Sequence, residues 1–116
     1  MIFHIVSKRE WQDAMRAGSY EPASIRTEGF VHCSTRSQTA DTANRFFRGR
    51  RDLVLLCIEP ERLTAKLRFE APADPADPRA QERFPHVYGP IDLPAVEQAL
   101  EFPCDAEGTF RLPDGV

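Results

Sequence analysis

Residues 53–58 read LVLLCI, and this unbroken apolar run constrains the fold more than any other part of the sequence. Successive side chains of a strand point to opposite faces, so a strand with no polar position must be covered on both sides. The run therefore predicts the central strand of a sheet that has a packed layer on each face. At 116 residues the chain has the length of one domain, and we expect residues 1–116 to form one core.

Two capping boxes mark the starts of helices. Ser7 with Glu10 predicts a helix that ends at Gly18, and Thr35 with Gln38 predicts a second helix that reaches about residue 47. Each box follows directly on a short apolar run that is typical of a strand. The chain therefore alternates strands and helices through its first half.

The second half has more strands and long loops. Asp92 predicts a third, short helix through about residue 100, and residues 71–83 contain three prolines that are typical of a mobile surface loop. Residues 102–116 form a C-terminal tail with room for one last edge strand. The predicted strands are 2–6, 30–33, 53–58, 66–70 and 84–91, with 66–70 nearer an edge because its charged and apolar residues alternate. The pattern predicts an α+β fold with an antiparallel or mixed sheet and about three helices.

Composition excludes several classes of partner. A net charge of −3 disfavours binding to duplex DNA, and no apolar stretch approaches the roughly 20 residues that span a bilayer. Three cysteines without CxxC spacing, in a chain that starts on a strand-like run with no signal peptide, predict reduced thiols. We expect a cytoplasmic protein with no membrane partner.

All three histidines of the chain interrupt predicted strands. His4, His32 and His86 each place a polar ring in an otherwise apolar run, which is costly unless the ring is hydrogen-bonded. One such histidine is most simply a core residue bonded to the backbone, whereas three suggest a common polar cavity. We therefore expect the three rings to surround one site.

Residues 32–35 lie where a strand gives way to a helix. Free backbone N–H groups and the positive end of the helix favour an anionic or phosphorylated ligand at such a junction. Ser34 and Thr35 supply hydroxyls there, and these could contact the ligand or simply cap the helix. The two roles are compatible for neighbouring residues.

Two other chemistries are weaker alternatives. Three imidazoles and a water form a catalytic zinc shell, but none of the histidines has HxH or HxxxH spacing, so we expect no metal. Cys33 could be a nucleophile, but its neighbour His32 points to the opposite face of the strand and could not activate it directly.

Two long motifs carry a resemblance to a known family. EGFVHCS at residues 28–34 and FPHVYGP at residues 84–90 resemble the bacterial family called domain of unknown function 952. The opening FHI, the helix with Trp11, Gln38 followed by FF at 46–47, and RFE at 68–70 support it. The resemblance extends from residue 1 to about residue 100.

A more distant similarity is to the ADP-ribosyltransferase superfamily, which includes the RNA 2′-phosphotransferases. The shared features are a histidine in the first strand, a Gly-Phe-x-x-Ser/Thr-type strand that runs into a helix, and a later polar strand. The resemblance implies an ADP-ribosyltransferase-like fold whose split sheet binds NAD or an ADP-ribose-like group. It also makes an RNA end a candidate partner.

The resemblance implies roles for single residues. His4 would bind the nicotinamide ribose, Phe30, His32 and Ser34 would line the nicotinamide pocket, and Tyr88 would stack on a ring. His86 occupies the position where these enzymes carry a catalytic glutamate, and Glu70 is the only nearby strand carboxylate. We therefore expect His32, His86 and Glu70 to perform any catalysis.

These observations lead to one main hypothesis and two alternatives. The main hypothesis is a transferase or hydrolase that acts on NAD or a similar nucleotide at a three-histidine site. The first alternative is a module that binds a nucleotide or metabolite without turnover, since the usual glutamate is absent. The second is a metal-dependent hydrolase.

Overall fold

The apolar run at residues 53–58 is the central strand of a three-stranded antiparallel sheet. The computed structural model describes residues 1–116. Strand β3 (Leu53–Ile58) lies between β1 (Ile2–Ser7) and β6 (Val96–Glu101), and every residue of β3 is buried. Both of its edges are hydrogen-bonded and both of its faces are covered, as the sequence predicts.

A second antiparallel sheet carries two of the three histidines. Its strand order is β2 (Val31–His32), β5 (Phe84–Tyr88) and β4 (Lys66–Glu70), so β4 is an edge strand as predicted. The register pairs His32 directly with His86 and Arg68 with His86 on the other side. The protein is therefore a single α+β domain with two three-stranded sheets.

The two sheets meet at one backbone bridge. The amide of Phe3 donates to the carbonyl of Ser34 at 2.9 Å, and the amide of Ser34 donates to the carbonyl of Phe3 at 2.8 Å. This pair of hydrogen bonds joins β1 of the first sheet to the segment that follows β2. It sets the position of the second sheet relative to the first.

Each face of the first sheet has its own core. Val6, Leu56 and Ile58 face a core that the second sheet completes with Val31 and Val87. Phe3, Leu55 and Cys57 face a core that α3 and the C-terminal tail complete. The strict alternation of β1 and β3 between these two cores is the reason that neither strand has an exposed position.

Helices α1 and α3 begin where the capping boxes predict. Helix α1 (Lys8–Ala17) has Ser7 as its N-cap and ends at Gly18, whose φ of 82° is the left-handed conformation that favours glycine. Helix α3 (Arg36–Phe46) has a complete capping box between Thr35 and Gln38. A five-residue helix α2 (Ser24–Glu28) lies between α1 and β2, and no side-chain cap marks its start.

The predicted helix at residues 92–100 is wrong. A single 3₁₀ turn, Leu93–Ala95, is followed by strand β6. The Asp92 carboxylate does not cap a helix because it accepts hydrogen bonds from the backbone and hydroxyl of Thr64. The following residues pair with the free edge of β3, and this tertiary pairing prevails over a weak local helix signal.

Three other expectations also change. Strands β2 and β5 are shorter than the predicted 30–33 and 84–91. The tail at 102–116 forms no strand, and it instead packs Phe102 and Phe110 together in the second core with ring centroids 5.0 Å apart. The loop at 71–83 packs the side chains of Asp77 and Arg79 against the domain. The proline-rich composition of the loop predicts a surface segment and does not predict this burial.

No helix is of a length and apolarity that would let it cross a membrane.

The tail should be a structural part of the domain. We expect Phe102→Ala to lower the free energy of unfolding by about 3–5 kcal/mol, because Phe102 is only 1% exposed and its removal leaves a cavity beneath the first sheet. The measurement is urea unfolding followed by circular dichroism. Phe69→Ala is the matched control, since Phe69 is 54% exposed, and should cost less than about 1 kcal/mol. Equal losses in the two variants would contradict this packing.

Candidate functional site

A cavity of about 650 Å³ opens between β1, the second sheet, helix α3 and the loop at 71–83. Phe30, His32 and His86 line it, together with Phe46, the last residue of α3, and Phe47, which follows it. The bridge between the sheets lies at the cavity wall, because Phe3 and Ser34 are also lining residues. A volume of this size accommodates a drug-sized or nucleotide-sized ligand.

Four rings form a continuous cluster, and three of them, Phe30, His32 and His86, line the cavity. Phe30 stacks on His86 with 4.0 Å between ring centroids and 16° between planes, and it lies 4.7 Å from His32 and 5.3 Å from Tyr88. The pairing of β2 with β5 creates this cluster, since cross-strand neighbours share a face. The structure therefore brings together four of the predicted site residues.

Glu70 reaches His86, as it must if it is part of the site. One carboxylate oxygen of Glu70 lies 2.9 Å from Nδ1 of His86 and also accepts a hydrogen bond from the Tyr88 hydroxyl. The carboxylate only accepts when ionised, so Nδ1 of His86 carries the proton and Nε2 is left without a protein partner. This is the arrangement in which a carboxylate orients an imidazole that acts as acid or base at its other nitrogen.

The electrostatics of this group favour a neutral His86 ring beside an ionised Glu70. Burial lowers the pKa of His86, and the Glu70 carboxylate offsets only part of that effect. Hydrogen bonds from Tyr88 and His86 lower the pKa of Glu70, and the same contact raises the pKa of Tyr88. A neutral imidazole with a free Nε2 can accept a proton near neutral pH.

His32 has a carboxylate partner of its own. Nε2 of His32 lies 2.6 Å from Oε2 of Glu28, four residues earlier at the end of α2. The rings of His32 and His86 are 5.8 Å apart, edge to face. The site therefore contains two carboxylate–imidazole pairs side by side, and sequence reasoning missed Glu28 although it stands in the EGFVHCS motif.

His4 has a different position from the other two histidines. Its Nδ1–H donates to the carbonyl of His32 at 2.6 Å, and its Nε2 accepts from the Tyr20 hydroxyl at 2.7 Å. Both ring nitrogens are thus bonded within the protein, and burial lowers the pKa of His4 to about 4. His4 supports the strand that carries His32, and its predicted contact with a ligand stays a prediction.

The hydroxyls at the strand–helix junction are used within the protein. Thr35 caps α3, and Ser34 donates to the Thr42 hydroxyl at 3.2 Å from a buried position in the cavity wall. Cys33 packs in the first core, where burial raises the pKa of its thiol to about 12. A protonated thiol is a weak nucleophile, so this environment disfavours covalent catalysis by Cys33.

Arg79 anchors the loop at 71–83 to the cavity wall. Its guanidinium makes two hydrogen bonds to the Asp77 carboxylate, at 3.0 and 2.9 Å, and one to the Thr42 hydroxyl at 2.8 Å. It also lies 4.5 Å from the ring centroid of Phe84. The Arg79 guanidinium lowers the pKa of Asp77 to about 2. The charge of Arg79 is therefore balanced within the protein. No sequence pattern in this loop indicated that Arg79 would anchor it.

Unpaired cations lie beside the ring cluster and outside the cavity wall. Arg68 and Lys66 are exposed on β4 and take part in no ion pair, and Arg68 lies 5.7 Å from the ring centroid of Tyr88. Their register places them opposite His86 and Tyr88.

No group of three or more His, Cys, Asp or Glu side chains is arranged to hold a metal ion.

The buried His4 ring should make stability depend on pH. Unfolded, His4 binds a proton near pH 6.5, whereas the folded protein binds it only near pH 4, so the free energy of unfolding falls as the pH falls between these values. We expect this ring alone to contribute a loss of about 2 kcal/mol between pH 6.5 and 4.5. Urea unfolding across this range checks it.

The comparison variant for this titration is His4→Asn, whose side-chain amide can still donate to the His32 carbonyl but does not titrate. Its stability should fall less steeply than that of the parent protein over the same pH range. Parallel curves for the two proteins would show that His4 is not the group responsible.

Comparisons with known proteins agree with the family resemblance of the EGFVHCS and FPHVYGP motifs. The family model for DUF952, a protein of unknown function, matches residues 5–99. A crystal structure of protein CC0527 from Caulobacter crescentus superposes with a TM-score of 0.83 at 37% identity, covering 96% of this chain and 93% of that one. The solution NMR structure of the same protein gives a TM-score of 0.80 at 36% identity, covering 99% and 95%.

A search of curated proteins gives no match to this chain. The family model covers most of the sequence, including both histidine motifs of the second sheet, and CC0527 has the same fold over almost its whole length. The chain belongs to the DUF952 family.

Proposed function

We propose that this protein binds NAD or an ADP-ribose-like nucleotide at the ring cluster and catalyses transfer or hydrolysis there. The observation that carries the proposal is the His86–Glu70 pair beside the 650 Å³ cavity, with a carboxylate on Nδ1 and a free Nε2. Such a pair is the common machinery for removing a proton from an attacking hydroxyl or water.

The chemistry of NAD fits this machinery. Breaking the bond between ribose and nicotinamide develops positive charge on the ribose, which a nearby carboxylate stabilises. Glu70 supplies negative charge through its contact with His86, and His86 would take the proton of the acceptor. The pair thereby replaces the single glutamate of the familiar transferases, which the sequence lacks at position 86.

The distribution of charge suggests how the ligand would lie. The only arginine in the cavity wall, Arg79, is neutralised by Asp77, whereas Glu28 leaves negative charge near the rings. A cationic aromatic ring such as nicotinamide suits the end formed by Phe30 and His32. The phosphates of the ligand would then lie outside, toward the unpaired cations Arg68 and Lys66.

The distant resemblance to ADP-ribosyltransferases supports the proposal, because two small sheets flank the cavity in this fold. An RNA end with a 2′-phosphate would offer the same ribose and phosphate groups, so it is included among the test ligands. All of these ligands are intracellular molecules, in keeping with the cytoplasmic location that we expect from the sequence.

One observation favours a non-catalytic binding module as the second candidate. Ser34 and Thr35 are bonded within the protein, and the Cys33 thiol is protonated, so the site holds no activated nucleophile of its own. Binding would then proceed without turnover. Saturable binding of a nucleotide with no chemical product would identify this case.

Calorimetric titration with NAD, ADP-ribose and a 2′-phosphorylated RNA end tests binding, and mass spectrometry of free nicotinamide tests turnover. We expect saturable binding, and a rate of nicotinamide release that falls about 100-fold or more in His86→Ala because the base is lost. Glu70→Gln keeps a hydrogen-bonding side chain but removes the charge, so it should lower the rate while leaving binding nearly unchanged.

The control is Glu97→Gln, which removes an exposed carboxylate from β6 in the other sheet and should behave as the parent protein. The proposal is wrong if none of the three ligands binds, or if His86→Ala releases nicotinamide at the parent rate.

A further inference from the structure

The second carboxylate–imidazole pair, His32 with Glu28, has no acid–base role in the reaction proposed above. Nicotinamide leaves NAD as a neutral molecule, so its departure requires no acid. Yet His32 lines the cavity, its ring lies 5.8 Å from that of His86, and Glu28 lies 2.6 Å from its Nε2. Two imidazoles in this relation can act as a base and an acid on one substrate.

From this juxtaposition we infer that the site also hydrolyses a ribonucleoside 2′,3′-cyclic phosphate. In such a substrate the group that leaves phosphorus is an alkoxide, which must gain a proton as the bond breaks. A reaction of this type needs one group that accepts a proton from water and another that donates a proton to the departing oxygen. His86 and His32 are placed to be these two groups.

The step balances without any further reactant. Nε2 of His86 takes a proton from water, the water oxygen bonds to phosphorus, and one ring P–O bond breaks. The departing ribose oxygen takes the Nδ1 proton of the imidazolium form of His32, whose Nε2 faces the Glu28 carboxylate. One water has been added, the product is a nucleoside monophosphate, and each histidine has changed its protonation state.

The surroundings of the pair suit this substrate class. Arg68 is the cross-strand neighbour of His86 and has no carboxylate partner, so it can face the phosphate. Phe30 and Tyr88 offer aromatic surface for the nucleobase within the same cluster. The 650 Å³ cavity has room for one nucleotide.

The inference is tested by incubating the protein with adenosine 2′,3′-cyclic phosphate and following the products by ³¹P NMR. We expect conversion to adenosine monophosphate, with rates about 100-fold lower in His32→Asn and in His86→Asn. Glu28→Gln should give an intermediate rate. His32 and Glu28 side chains are 46% and 43% exposed, so these two variants are expected to fold.

Glu97→Gln, purified in the same way, is the control for contaminating phosphodiesterases and should react at the parent rate. Absence of hydrolysis by the parent protein overturns the inference, and so does a His32→Asn variant that retains the parent rate. The outcome is separable from the NAD proposal, since cyclic phosphate hydrolysis is measured without NAD, and nicotinamide release does not require the acid His32.

Discussion

The backbone bridge between the two sheets is the interaction on which the rest of this structure depends. Two backbone hydrogen bonds between Phe3 and Ser34 connect β1 to the end of β2, and the His4 ring adds a third by donating to the His32 carbonyl. Strand β2 has only two residues and one neighbouring strand, so it has little else to hold it. A buried hydrogen bond from a neutral ring is strong support for such a segment, because breaking it would leave a polar group unpaired. The price of this support is the sensitivity of His4 to acid.

The geometry of the site follows from this bridge. With β2 fixed, its pairing with β5 brings the His32 and His86 rings together edge to face, and β4 then places Glu70 against His86. All three histidines line the cavity but have separate tasks: His4 holds the strand through both ring nitrogens, whereas His32 and His86 each have a carboxylate partner. Phe30 packs against both rings, stacked on His86 and tilted against His32. This order of dependence explains how a small domain can position two imidazoles accurately with short strands.

The sequence predicts the local features of this molecule well and its long-range contacts poorly. Ser7, Gly18 and Thr35 mark their helix ends correctly because caps depend on neighbouring residues, and the apolar run of β3 can only be a covered strand. Strand β6 is missed because its pairing with β3 outweighs its own propensity. The burial of Arg79 is also missed, since Asp77 and Thr42 become its partners only after folding. The apolar runs of the sequence place the three histidines on strands. They do not show that both nitrogens of the His4 ring are hydrogen-bonded within the protein.

The most direct test of this account is a long-range ¹⁵N–¹H NMR spectrum of the imidazole rings, recorded near pH 7 with and without ADP-ribose. The account predicts that His4 and His86 are both neutral with the proton on Nδ1. It also predicts that adding ADP-ribose shifts the Nε2 signal of His86 and leaves the two signals of His4 unchanged. A His86 ring with its proton on Nε2, or a ligand that shifts His4 and not His86, would contradict it.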